Sequence, residues 1–230
     1  QAEQPWGAIF ATLHEGGHAL YDQGLPAELQ GTLLADAPGM GLHESQALLW
    51  ENHVGRTLGF WTHCLKKLRA VFPRALSALR PEDVVHTVNR VQPSLVRVGA
   101  DEVTYNLHIL MRYELETALL SGDLQAVELP GAWSERSRHW LGIAPAGLTE
   151  GCLQDVHWAQ GHLGYFPSYT LGNLYAAQLV EAYLRSGAAL EAEVASGNFR
   201  SLREWLGQAI YAHGATLKLP YRGLFRLQNV

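Results

Sequence analysis

No stretch of this 230-residue chain alternates apolar and polar side chains with the period of two that a half-buried strand requires. Apolar residues recur instead at spacings of three and four, in segments punctuated by glycine and proline. A chain patterned this way buries its apolar surface by packing helix on helix, which predicts an all-α fold. With 47% hydrophobic and 17% charged residues it has the material for a core of its own. No internal repeat, low-complexity tract or clear linker divides it, so residues 1–230 are expected to form a single α-helical domain.

A first helix is expected over 5–22, with Pro5 in its opening turn and Gly24 just past its end. The breaker-rich stretch 25–41 reads as a loop, 42–71 as one long helix stopped by Pro73, and 81–93 as a helix opened by Pro81. Asp101 suits the N-cap of a helix over 102–120, ended by Ser121 and Gly122, and a short helix follows over 131–142. The glycine- and proline-rich stretch 143–167 reads as an irregular connection, of a length that is often functional. Helices over 168–185 and 198–213 complete the chain, the second capped by Gly214.

The formal net charge is −5 and no long basic run occurs, which argues against nucleic acid as a partner. No uninterrupted apolar run approaches the roughly 18 residues of a membrane span. Cys64 and Cys152 are the only cysteines, too few for a disulfide framework, and a reducing, cytoplasmic setting is expected, with the pairing of these two left open.

Chemistry concentrates in HEGGHALYDQG, His14 to Gly24. On a helix, His14 and His18 share a face one turn apart and present two imidazoles to one ion. Glu15 is rotated off that face, too displaced to be a third ligand of the same turn, and suits a base that takes a proton from water. Gly16 and Gly17 cost a helix about 1 kcal/mol each relative to alanine, a cost with a reason if another backbone or a metal approaches closely. A catalytic zinc needs a third protein ligand. Glu44 in GLHESQALLWEN, 26 positions beyond His18, is the candidate, with Glu51 and His43 as competitors. Asp22, Asp36 and Glu51 are candidates to orient the histidine rings.

These two stretches resemble the carboxypeptidase Taq family of M32-type zinc metallocarboxypeptidases. So do VRVGAD (Val96 to Asp101, similar to the family's I-R-x-x-A-D), GCLQDVHW (Gly151 to Trp158), GYFPSYTLGN (Gly164 to Asn173) and LREWLGQAIYAHG near the end. The resemblance implies a helical, zincin-like peptidase with a deep cleft, commonly a homodimer, that removes single residues from free peptide C-termini. It makes His14, His18 and Glu44 the ligands of Zn2+, with Co2+ or Mn2+ as substitutes, and Glu15 the general base. The family's H-P-F and D-x-R-x-T motifs, upstream of the zinc helix, do not occur here. The chain therefore reads as the catalytic C-terminal half, with the N-terminal half cleaved, lost or separately made.

The remaining candidates follow from what a carboxypeptidase must bind. A guanidinium recognises a terminal carboxylate through two parallel hydrogen bonds, and Arg97 lies in the matched motif; the competing reading pairs it with Asp101 or Glu102. Arg112 reads as structural, with Glu116 or Glu102 as its partner. For a donor to the oxyanion, Tyr169 ranks first, with His157 and Tyr165 beside it. Tyr165 serves equally as a substrate contact or as aromatic packing, and His157 as a donor or as a buried histidine bonded to Asp155. Two other functions remain open: a truncated, partner-dependent peptidase with an endopeptidase-like open cleft, and a helical interaction module whose metal site has no open position.

Overall fold

The computed structural model describes residues 6–216, so Pro5 lies outside the described residues. Helices carry the chain, and no strand occurs among the described residues. They are α1 (Trp6–Gly24), α2 (Met40–Leu48), α3 (Leu58–Val71), α4 (Pro73–Leu76), α5 (Pro81–Val88), α6 (Glu102–Ser121), α7 (Leu129–Leu141), α8 (Pro167–Arg185), α9 (Leu190–Ser196) and α10 (Arg200–Ala209). No helix among the described residues is long and apolar enough to cross a membrane. The residues group into two units, one spanning Asn89–Thr170, the other running through Val88 and resuming at Leu171.

The first unit has α1 to α5, most of α8, α9 and α10 around one apolar core. Phe10, Tyr21, Leu42, Leu49, Trp61, Leu65, Val84, Leu179 and Leu206 are buried there. α1 buries Phe10, Gly17 and Tyr21, which recur at helix-face spacing. A Cβ on Gly17 would stand 2.5 Å from the Gln46 carbonyl oxygen and 2.7 Å from Ala47 Cα, so only glycine lets α1 meet the α2 backbone this closely. Gly16 has nothing within 4 Å of that position, so backbone approach explains one glycine of the pair and not the other.

The helix expected over 42–71 is broken. α2 passes directly into a π-helical segment, Leu49–Val54, and the chain turns before α3 starts. Thr57, in extended backbone, accepts a hydrogen bond from Phe60 N at 3.2 Å and caps the new helix. Apolar spacing runs on through this break, because Leu49, Val54, Phe60, Trp61 and Leu65 are all core residues, and periodicity therefore cannot see it. α9 is too short to register as a period. The C-terminal helix ends at Ala209, and Gly214, at φ 50°, lies within a following 3-10 stretch, Tyr211–Thr216, where it does not cap α10 directly.

In the second unit α6 packs on α7 around Met111, Leu115 and Trp133. Asp101 caps α6 as expected, its Oδ1 accepting from Val103 N and Thr104 N at 2.9 Å each. Gly122 and Gly142 end α6 and α7 in left-handed conformation. Residues 143–166 follow as turns, with one short 3-10 stretch at Trp158–Gln160. Cys64 and Cys152 are both free thiols.

Candidate metal centre

α1 presents His14 and His18 one turn apart, their rings nearly perpendicular with centroids 4.9 Å apart. Glu44, on α2, brings its carboxylate between them. Glu44 Oε1 lies 3.5 Å from His14 Nε2, and Oε2 lies 3.7 Å from His18 Nε2. The three residues offer ligand atoms all within 4.8 Å of one another. Donors about 2.0–2.2 Å from one tetrahedral ion stand about 3.3–3.6 Å apart, so the two carboxylate–imidazole spacings lie at or just beyond that range, close enough for the three groups to share one cation. The donor set, two imidazoles and one carboxylate, suits zinc and its neighbours in the first transition row.

Two further contacts hold this set in register. Glu44 is 2% exposed, and a Cβ on Gly172 of α8 would lie 2.8 Å from its Cγ and 2.9 Å from its Cβ. That glycine makes the slot in which the carboxylate stands. On the far side of each imidazole another group engages Nδ1. His14 Nδ1 is 2.8 Å from Glu51 Oε2, and His18 Nδ1 is 2.6 Å from His43 Nδ1. With Nδ1 of each ligand occupied outward, Nε2 of each faces Glu44. Of the candidates for ring orientation, Glu51 acts directly and Asp22 acts through His43, whose Nε2 is 3.0 Å from Asp22 Oδ1. Asp36 accepts instead from its neighbour Ala37 N at 2.6 Å. His43 and Glu51, the competitors for the third ligand position, stand behind the ligands.

Burial lowers the His14 pKa, but the Glu51 hydrogen bond and the charges of Glu44 and Glu51 outweigh it, leaving the group above its ordinary 6.5. His18 is pushed down to about 4, first by burial and then by its imidazole neighbours His43 and His14. A neutral imidazole is the form that binds a cation. Glu15, next to His14 on α1, is exposed to solvent.

Arg97, His157, Tyr165 and Tyr169 all lie in the second unit, in one cluster. Arg97 Nε and Nη2 donate to Asp155 Oδ1 at 3.0 and 2.8 Å, and Nη1 donates to Tyr105 Oη at 3.1 Å. Arg112 Nε donates to Asp155 Oδ2 at 2.6 Å. The partner of both arginines is thus Asp155, 58 and 43 positions away, and not the acidic residues near them in sequence. Buried Asp155 is disfavoured as an anion by desolvation, yet the charges of Arg112 and Arg97 hold its pKa below the ordinary 3.8. The Tyr169 ring lies over the Arg97 guanidinium at 4.7 Å. Tyr169 Oη is 2.9 Å from His157 Nε2, whereas His157 Nδ1 is 3.9 Å from Asp155, beyond hydrogen-bond reach. Tyr165 packs its ring against His157 and Tyr169, with centroids 5.4 Å away in each case. Asp155 is the acidic residue of GCLQDVHW, but nothing local in the sequence links it to two arginines so far upstream.

Residues 1–220 match the family described as carboxypeptidase Taq (M32) metallopeptidase. The chain is 52% identical to thermostable carboxypeptidase 1 of Thermus thermophilus over 210 residues, covering 91% of this chain and 41% of that protein. It is 44% identical to carboxypeptidase 1 of Bacillus subtilis, covering 92% of this chain and 42% of the other. The crystal structure of the M32 carboxypeptidase from Deinococcus radiodurans R1 superposes with a TM-score of 0.91 at 40% identity, over 99% of this chain and 46% of that one. The chain thus spans less than half the length of these relatives. Matched along nearly its whole length, it belongs to the carboxypeptidase Taq (M32) family of metallopeptidases.

Proposed function

We propose that this chain carries the catalytic centre of a zinc-dependent carboxypeptidase acting on peptides with a free C-terminus. The observation that carries the reading is the convergence of ligand atoms of His14, His18 and Glu44 within 4.8 Å, the two histidines on α1, which also bears Glu15, and the glutamate on α2. His14, His18 and Glu44 would hold the ion, with cobalt or manganese able to replace zinc. A divalent cation bound there acidifies water and polarises a carbonyl. Glu15, one position round the helix from His14, takes a proton from the attacking water and passes it to the leaving amine. Glu51 and His43 keep the two imidazoles turned towards Glu44.

The substrate roles of the second unit rest on the family motifs and on the charge of their cluster. Arg97 and Arg112 share the single carboxylate of Asp155, so two positive charges face one negative. That excess favours a further anion, and Arg97 is assigned to the terminal carboxylate of the peptide. Tyr169 and His157 supply the hydroxyl and imidazole that steady an oxyanion, and Tyr165 lines the substrate. A homodimer, which the resemblance implies, is checked by the mass of the assembly in solution.

The test is metal content together with release of the C-terminal residue from a free and a C-terminally amidated peptide. The reading expects one ion per chain and release from the free peptide alone. Cleavage of the amidated peptide supports an open, endopeptidase-like cleft, and bound metal without hydrolysis supports a metal-binding interaction module. Glu15→Gln should keep the ion and lose at least about 100-fold in turnover; undiminished turnover removes Glu15 from its role.

A further inference from the structure

The stretch from His43 to Glu51 does more than supply Glu44. Its first residue reaches the Nδ1 of one histidine ligand and its last reaches the Nδ1 of the other. The two contacts differ in kind. His14 meets a carboxylate directly, at 2.8 Å from Glu51. His18 meets a second imidazole, His43, at 2.6 Å, and that imidazole in turn meets Asp22 at 3.0 Å through its other nitrogen.

An N···N contact of this length needs one proton between the rings. A ring that offers Nε2 to a cation carries its proton on Nδ1, so His18 Nδ1–H donates and His43 Nδ1 accepts. His43 then carries its own proton on Nε2, the atom that faces Asp22 Oδ1. The carboxylate fixes the His43 tautomer, and the tautomer fixes His18. Packing supports the same orientation: the His43 ring lies 4.6 Å from His18 and 5.3 Å, near edge-on, from buried Tyr21.

We propose that His43, backed by Asp22, is a positioning residue for metal binding, working as a hydrogen-bond relay that locks His18 with Nε2 towards the ion. This rests on the reading of His14, His18 and Glu44 as metal ligands, though not on the peptidase activity. Because Asp22 is largely exposed and one ring removed from His18, it contributes less than His43.

The test uses the 230-residue chain and zinc, with affinity measured by competition against a chelator. His43→Phe keeps a ring against Tyr21 but removes the acceptor, and zinc affinity should fall about 10- to 100-fold. His43→Asn returns an acceptor near the Nδ1 position and should recover part of that loss, which a purely structural role would not give. Asp22→Asn keeps an acceptor without the charge and should cost least. Nitrogen-15 NMR of the zinc-loaded chain should find a proton on His18 Nδ1 and none on His43 Nδ1. Wild-type affinity in His43→Phe, or a proton on His43 Nδ1, overturns the relay while the metal centre stands. Failure of the wild-type chain to bind zinc overturns the metal centre and the relay with it. Zinc binding without peptide hydrolysis overturns only the proposed activity.

Discussion

Gly16 and Gly17 are neighbours in α1, and the structure predicts opposite responses to the same substitution. An alanine Cβ at position 17 would lie 2.7 Å from Ala47 Cα and 2.5 Å from the Gln46 carbonyl oxygen. Comfortable carbon–carbon contact begins at about 3.5 Å, so α1 and α2 must separate by roughly 0.8 Å. The obstructing atoms are backbone and cannot swing aside. Overpacking of this kind costs up to about 3 kcal/mol, offset by about 1 kcal/mol from the better helix propensity of alanine, for a net loss near 2 kcal/mol. At position 16 nothing stands within 4 Å of the new Cβ, and only the propensity gain of about 1 kcal/mol remains. For a chain of this size the melting midpoint should fall by about 4–8 °C in Gly17→Ala and rise by about 2–4 °C in Gly16→Ala. Differential scanning calorimetry of the metal-free chains reads both shifts. Zinc affinity should fall in Gly17→Ala as well, because the movement carries His14 and His18 away from Glu44. Shifts of the same sign at both positions would refute the close approach of the two helices as the reason for Gly17.

Asp155→Asn leaves Arg97 and Arg112 buried against each other without their anion, and should cost about 3–5 kcal/mol in chemical denaturation. Because the Asp155 pKa lies below 3.8 in the folded state, its contribution is present above that pH and is lost as pH falls through the folded value; the variant should show a weaker acid limb. Burial and then Arg112 push His108 down to about 4. The unfolded chain takes up this proton first, so that contribution is complete above pH 6.5 and disappears towards pH 4, and His108→Gln should make stability less steep across that window. Stripping the ion with a chelator should lower the melting midpoint reversibly, by the equivalent of about 2.7 kcal/mol at an ion concentration near 100 times Kd; no shift would count against a metal-binding native state.

Much of the centre was legible because its parts are local. His14, Glu15 and His18 are related by helix geometry alone, and Asp101 is related in the same way to the turn it caps. Position near the start of the next helix makes Glu44 the candidate ahead of its competitors His43 and Glu51, and the family motif makes that assignment firmer. The arginines show the limit. Sequence proximity offers Arg97 and Arg112 acidic partners within ten residues, where helical neighbours interact, whereas the structure pairs both with Asp155 across an irregular connection. The break before Thr57 was hidden for a related reason, since a buried helix and a buried turn expose the same apolar spacing.

Sequence by itself determined the all-helical character, the helix that carries two imidazoles and a carboxylate, and the family. Periodicity, caps and contiguous motifs are properties of neighbours along the chain. Tertiary structure alone decided that Gly17 and Gly172 make room for α2 and Glu44, and that His43 lies behind His18. Those are distances between atoms on separate helices, and only packing brings them to a few ångströms.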